Sequence, residues 1–110
     1  MAIVRASLRM ELSPHQLAEV LDVLSPLVSR TLAAPGCLEC RLSRDLTDGS
    51  VLFEEWWARE EDFHERVLSG DFRTVLLTMD MAAKEPEFRF CLIAEIKGLK
   101  DLARLLGQEE

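Results

Sequence analysis

Two cysteines three residues apart are the first residues of this 110-residue chain whose spacing could do chemistry. Cys37 and Cys40, in "PGCLECRLSR", match the C-x-x-C spacing of redox dithiols and zinc sites. However, Leu38, Cys40 and Leu42 alternate with other residues, which is strand periodicity. Residues three apart on a regular strand face opposite sides of a sheet. The pattern therefore predicts diverging, packed thiols and no metal site.

A second set of candidates lies in "REEDFHERV", which has the composition of a helix. His64 could act as a general base, because imidazole exchanges protons near neutral pH, or it could be a solvated surface residue among acidic neighbours. Arg66 could hold a phenolate or carboxylate in a partly buried site, or it could pair with Asp62 on the helix surface. An offset of two residues turns a helix by about 200°, so His64 and Arg66 cannot exchange roles.

Aromatic and sulfur-containing side chains could enclose a ligand or simply fill a core. Trp56 and Trp57 are adjacent on a predicted strand, so one faces the helices and the other faces the far side of the sheet. Core and dimer packing explain both tryptophans without a ligand. The candidate lining residues of a pocket, for which plain core packing is the alternative, are Phe53, Phe72, Met79 and Cys40.

The elements that must position these side chains follow from hydrophobic periodicity. Alternating residues predict strands and three- and four-residue spacings predict helices, with Ser13-Pro14 as a helix start and Asp48-Gly49 as a hairpin turn. The predicted elements are a strand at 2–12, a helix at 13–34, strands at 37–45 and 50–57, a helix from 59 interrupted at 69–70, and a strand at 87–96. Residues 98–110 form an amphipathic tail after a domain at 1–97.

This βαββαβ order predicts an α+β, ferredoxin-like fold, an antiparallel sheet with both helices on one face. The other sheet face is half apolar, with residues such as Ile3, Cys91 and Ile93 among Arg and Glu. We therefore expect a homodimer that packs sheet against sheet.

Charge and composition exclude several classes of partner. Thirteen basic against twenty acidic residues give a net charge of −7 with no basic block, which argues against nucleic acid and anionic membranes. The chain lacks the apolar runs of a signal peptide or a membrane span, and three cysteines favour reduced thiols. We expect a soluble, cytoplasmic protein.

Three longer motifs point to a known family. "LSPLVSRTLAAPGCLECRLSRD" and "FEEWWAREEDFHERVLSGDF", together with Pro-Glu-Phe before the last strand, resemble the antibiotic biosynthesis monooxygenase superfamily, particularly its small quinol monooxygenase-like members. The likeness covers roughly residues 2–97. It implies a dimeric α/β barrel with a pocket between helices and sheet in each subunit. Some members of the family oxygenate phenols or quinols without a cofactor, and the resemblance implies this activity as a possibility for the chain.

On that resemblance, His64 or Arg66 would assist deprotonation of a small aromatic substrate enclosed by Trp57, Phe53 and Phe72, with Met79 and Cys40 also lining the pocket. No cofactor is expected. The chain departs from the family where Cys40 replaces a frequent Tyr and Arg66 a frequent His, and it resembles the heme-degrading branch less. The alternative is a non-catalytic dimeric barrel that binds a small apolar ligand or serves assembly or stress response.

Overall fold

The structure is a computed structural model that describes residues 2–107. In chain order its elements are β1 (Ile3–Met10), α1 (Pro14–Leu32), β2 (Cys37–Arg44), β3 (Val51–Trp57), α2 (Glu60–Val67), α3 (Gly70–Leu77), β4 (Glu87–Ile93) and α4 (Leu99–Leu105). A short 3-10 turn at residues 78–81 follows α3. The four strands form one antiparallel sheet in the order β2-β3-β1-β4. The predicted α+β, ferredoxin-like fold is confirmed.

The two central strands present matching inward faces to the helices. On β1 the alternation predicted from the sequence buries Val4, Ala6, Leu8 and Met10. On β3 residues 51, 53, 55 and 57 are buried in the same way. The antiparallel register sets these stripes side by side, with Val4 opposite Trp57. Side chains on paired inward positions pack as neighbours, so the register decides which β3 side chains can reach the helices.

Helix α1 begins where the sequence predicts and continues through Pro26 as one helix. The Ser13 hydroxyl accepts a hydrogen bond from the Gln16 backbone N–H at 3.3 Å, and Pro14 occupies the first helical turn. Its buried stripe ends with Leu27 and Thr31, which therefore face the sheet. No helix within residues 2–107 is both long and apolar enough to cross a bilayer.

The two cysteines of the C-x-x-C motif face the same side of the sheet, so the predicted divergence is wrong. Cys37 is paired with Trp57 and Cys40 with Glu55, two residues that both point inward. A β-bulge between Cys37 and Glu39 inserts Leu38 as an extra residue. Because of this extra residue, Cys37 and Cys40 point to the same face, which residues three apart on a regular strand do not. Both thiols pack against the core beneath the helices, as the packing part of the prediction requires.

The junction between α1 and β2 depends on Gly36. Its φ of 84° lies in the left-handed region, which a side chain disfavours. A Cβ at this position would also collide with the carboxylate of Asp62 on α2. The carbonyl of Gly36 accepts a hydrogen bond from the Ala58 N–H at 2.8 Å, which ties the junction to the end of β3.

Replacing Gly36 with Ala should therefore destabilise the protein by about 2 kcal/mol, from the left-handed backbone and the contact with Asp62. Gly70→Ala is the matched control, since Gly70 opens α3 and a Cβ there meets nothing within 4 Å. It should leave stability unchanged or raise it by up to about 1 kcal/mol. Urea unfolding measures both, and equal stabilities would contradict the assignment.

Candidate active site

An ion pair between Glu55 and Arg66 lies buried between the sheet and the helices. β3 turns Glu55 towards the helices, and α2 presents Arg66 to the same space. Arg66 donates from Nε to Oε1 of Glu55 at 3.0 Å and from Nη2 to Oε2 at 2.7 Å. Glu55 is 2% exposed and Arg66 is 6% exposed. This two-pronged geometry is the strong form of a carboxylate–guanidinium contact and fixes the orientation of both groups.

Thr31 and Trp57 complete the hydrogen bonding of the pair. Arg66 Nη2 donates to the Thr31 hydroxyl at 3.1 Å, and that hydroxyl donates to the Leu27 carbonyl at 2.6 Å. The indole N–H of Trp57 donates to Glu55 Oε1 at 3.0 Å. Each of these donors has an acceptor within the group, so α1, β3 and α2 are joined through one polar network.

Aromatic rings flank the same guanidinium. Its central carbon lies 5.9 Å from the ring centroid of Trp57 and 5.7 Å from that of Phe72. Phe72 in turn packs edge-on against Phe63 at 6.2 Å. Cations are attracted to ring faces at such distances, and the rings also limit water access. The charged end of Arg66 is therefore held in a mostly apolar setting.

A cleft of about 250 Å³ opens beside this network. Arg66 and Trp57 reach its wall, and its other lining residues are Arg30, Ala34, Pro35, Asp62, Glu65, Ser69 and Asp71. Two of the carboxylates are held by arginines, Asp71 by Arg30 at 2.6 Å and Asp62 by Arg59 at 2.9 Å. The cleft thus combines an aromatic wall with a guanidinium whose charge is shared with a buried carboxylate.

One nitrogen of Arg66 is left for a ligand. Nε and Nη2 are occupied, whereas Nη1 forms no hydrogen bond within residues 2–107. In this part of the chain no fully buried side-chain nitrogen or oxygen lacks a partner, so Nη1 keeps some contact with solvent, and Arg66 is one of the residues that line the cleft. A guanidinium N–H is always charged and only donates. The available position therefore suits an anionic or carbonyl oxygen.

The cysteines beside the network are poor nucleophiles. Burial raises the pKa of the Cys40 thiol from 9.0 to about 12, and the nearby Glu55 carboxylate adds to the rise. Burial also raises the pKa of Cys37, again with a contribution from Glu55. Because the thiolate is the reactive form, neither thiol is activated as redox C-x-x-C cysteines are.

The structure separates the predicted site residues into three groups. Arg66, Trp57 and Phe72 come together around the guanidinium. Phe53, Cys40 and Met79 pack in the neighbouring core cluster and do not line the cleft. His64 is exposed on α2 and is also absent from the cleft wall.

The surface alternative for Arg66 is wrong. Arg66 pairs with Glu55 across the interior, and Asp62 pairs with Arg59 instead. Glu55 and Thr31 are the two site residues that sequence reasoning did not single out. The strand alternation contained the indication for Glu55, because it occupies the inward position between Phe53 and Trp57 where an acid needs a partner.

Comparison with known proteins identifies what the chain resembles. The sequence model of the family described as antibiotic biosynthesis monooxygenase matches residues 2–76, which is more than half of the chain. No curated protein is similar enough in sequence to count as a relative.

Solved structures share the fold at low sequence identity. A conserved protein from Methanosarcina mazei Go1 superposes with a TM-score of 0.75 at 20% identity, over 84% of this chain and 94% of that one. Rv0793 from Mycobacterium tuberculosis gives 0.72 at 14% identity, over 87% and 97%. A mutant form of SnoaB from Streptomyces nogalater, described as a cofactor-independent oxygenase, gives 0.68 at 16% identity, over 86% and 95%.

Glu55→Gln should cost about 3–5 kcal/mol of stability, because it leaves the Arg66 charge buried without a counter-charge. Glu54→Gln is the matched control, since the neighbouring Glu54 pairs with Arg5 on the opposite, more accessible sheet face and should cost about 1 kcal/mol or less. Urea unfolding compares the two. Adding Arg66→Met to Glu55→Gln should recover stability, and losses of equal size at positions 54 and 55 would contradict the account.

Native Cys40 should resist alkylation by iodoacetamide between pH 7 and 10, because its thiol is buried and stays protonated up to about pH 12. The protein unfolded in urea is the control, because Cys40 should then react as an ordinary thiol. Peptide mass spectrometry measures the labelling of Cys40 in both states. A labelling rate of native Cys40 that equals the rate in the unfolded protein and stops rising above about pH 9 would show that the thiol is not held in this way.

Proposed function

The chain belongs to the antibiotic biosynthesis monooxygenase family, and from this premise we propose that it is a cofactor-independent monooxygenase acting on a small aromatic phenol or quinol. The observation that carries the proposal is the single free nitrogen of Arg66, which a buried network holds at the cleft. A phenolate oxygen at that nitrogen would bring the ring beside Trp57.

Arg66 would assist deprotonation by stabilising the phenolate. A guanidinium cannot accept the proton, so the proton leaves to water or to a surface group while the charge that remains is bound by Nη1. A donor that is fixed before the reaction costs no reorganisation when the negative charge develops. The contacts with Glu55 and Thr31 supply that fixation.

The substrate itself would supply the electrons. An electron-rich phenolate reduces dioxygen, one oxygen atom forms a bond to ring carbon, and the other leaves as water with two hydrogens of the substrate. The protein then needs an apolar enclosure and an anion-stabilising donor. Trp57 and Arg66 would provide them at the cleft, with Phe72 packed behind the guanidinium.

We further propose that the protein acts in the cytoplasm as a homodimer joined through the outer sheet face, the side away from the helices. Support for the dimer comes from the partly buried apolar residues on that face, Ile3, Leu52, Trp56 and Ile93. Three cysteines suit a reducing compartment. The pocket of each subunit lies on the opposite side of its sheet, so such a dimer leaves both clefts open.

A second candidate function is ligand binding without turnover. The observation that favours it is that two of the three carboxylates lining the cleft, Asp62 and Asp71, are paired with arginines, which leaves the exposed Glu65 as the remaining cleft carboxylate that could accept a proton. Saturable binding of a phenol with no oxygen uptake above the spontaneous rate would support this candidate.

Arg66→Lys tests the monooxygenase proposal. The lysine keeps the charge but loses the fork that binds Glu55 and presents Nη1, so kcat/KM for oxygen uptake should fall about 100-fold. Arg30→Lys is the control, because Arg30 lines the same cleft but is mostly exposed. It should stay within about twofold of wild type. An oxygen electrode with hydroquinones and anthrone-like phenols gives the rates, and an unchanged Arg66→Lys rate would contradict the proposal.

His64→Ala in the same assay tests the other role expected from the sequence. His64 is exposed and does not line the cleft, so its removal should leave kcat/KM within about twofold of wild type. A loss comparable to that of Arg66→Lys, with a pH profile that loses its acidic limb, would instead assign the base to His64.

A further inference from the structure

The chain ends in a segment that projects from the domain. This C-terminal arm, residues 94–107, contains α4 and follows β4 directly. The Cα radius of gyration is 16.2 Å, whereas a compact chain of this length has about 13 Å. The accessible surface is 7497 Å², against about 6,200 Å² for a compact monomer of 12.5 kDa. The surplus of about 1,300 Å² exceeds the roughly 800 Å² that each partner contributes to a standard interface.

The surface of the arm is strongly apolar. Leu99 is 82% exposed and Leu105 is 86% exposed, and α4 buries none of its residues. Leu99, Leu102 and Leu106 recur at three- and four-residue spacing, which places them on one stripe of the helix. An isolated helix of seven residues is marginal in water, so α4 requires a surface against which this stripe can pack.

A matching surface lies on β4. The register with β1 turns Phe90 and Leu92 to the helix side of the sheet, where they pair with Ala6 and Val4. These two β4 residues nevertheless remain 55% and 54% exposed, because the subunit's own helices cover only part of this edge strand. Phe90 touches Phe63 of α2 with ring centroids 5.3 Å apart, and the side of Phe90 away from that contact remains open.

We propose that the C-terminal arm of one subunit packs across β4 of a second copy of the chain, with Leu102 over Leu92, and that the second copy returns the same contact. The surplus area is of the size that each partner contributes to a standard interface, as such an exchange requires. The stripe and its acceptor are both present in each chain, so a twofold axis satisfies both at once. The subunit's own arm leaves its own Phe90 and Leu92 uncovered.

The exchange extends the proposed homodimer and does not involve the cleft residues. It adds a contact on the helix side of the edge strand to the contact between outer sheet faces. Charged residues Lys100 and Arg104 alternate with the apolar stripe and would stay in solvent. The arm therefore joins the two subunits, and loss of the arm would leave the chemistry of the cleft in place.

Disulfide trapping tests the contact in the full chain. One protein carries Leu92→Cys and a second, isotopically labelled, carries Leu102→Cys, both with Cys91→Ser to remove the exposed native thiol. After mixing and mild oxidation, a covalent dimer should form whose linked peptide joins position 92 of one isotope to position 102 of the other. Lys100→Cys in place of Leu102→Cys is the control, and its yield should be at least about fivefold lower, because that side chain lies off the apolar stripe.

Three outcomes would overturn the inference. In a chain that carries both Leu92→Cys and Leu102→Cys, a 92–102 link within one chain, while light scattering shows a dimer, would place the arm on its own subunit and leave the sheet-face dimer standing. Equal yields from positions 100 and 102 would show that the contact is not specific. A monomeric mass at micromolar concentration would overturn both interfaces, whereas oxygen uptake tests the proposed activity separately.

Discussion

The buried pairing of Glu55 with Arg66 is the interaction on which the arrangement of this domain depends. A carboxylate on the inward face of a central strand would cost several kcal/mol if it were unpaired. Arg66 removes that cost only if α2 lies at one distance and one rotation above β3. Thr31 then fixes α1 relative to both, since its hydroxyl links the guanidinium to the helix backbone. A polar constraint thus sets the helix–sheet geometry that apolar packing alone would leave adjustable.

The same pairing determines what the cleft can bind. Glu55 balances the charge of Arg66, so the site attracts anions less strongly than an unpaired arginine would. What remains is a directed donor, Nη1, against Trp57 and Phe72. Such a donor favours the localised charge that develops on the oxygen when a phenol hydroxyl loses its proton.

Periodicity predicted the elements well because each strand or helix has one buried face. The β1 alternation and the start of α1 at Ser13-Pro14 are local patterns, and both are confirmed. The bulge at Leu38 was not predictable in this way, because one extra residue changes the facing of Cys37 without changing the pattern that follows. Arg66 was found as a candidate, but its partner was misjudged, since a helix neighbour is visible in sequence and a strand neighbour is not. Glu55 could have been identified only by asking which cation pairs with a carboxylate that the strand pattern places on the buried face.

The central claim is that Arg66, held by Glu55, stabilises a phenolate oxygen at the cleft. A titration of bound 4-nitrophenol tests it most directly, because the phenolate of this ligand absorbs visible light and the ligand resists oxygenation. Spectrophotometric titration with saturating protein measures the pKa of the bound phenol. The account predicts a pKa below that of the free phenol in the wild type and no lowering in Arg66→Met. A bound pKa equal to or above the free value, or the same lowering without Arg66, would contradict it.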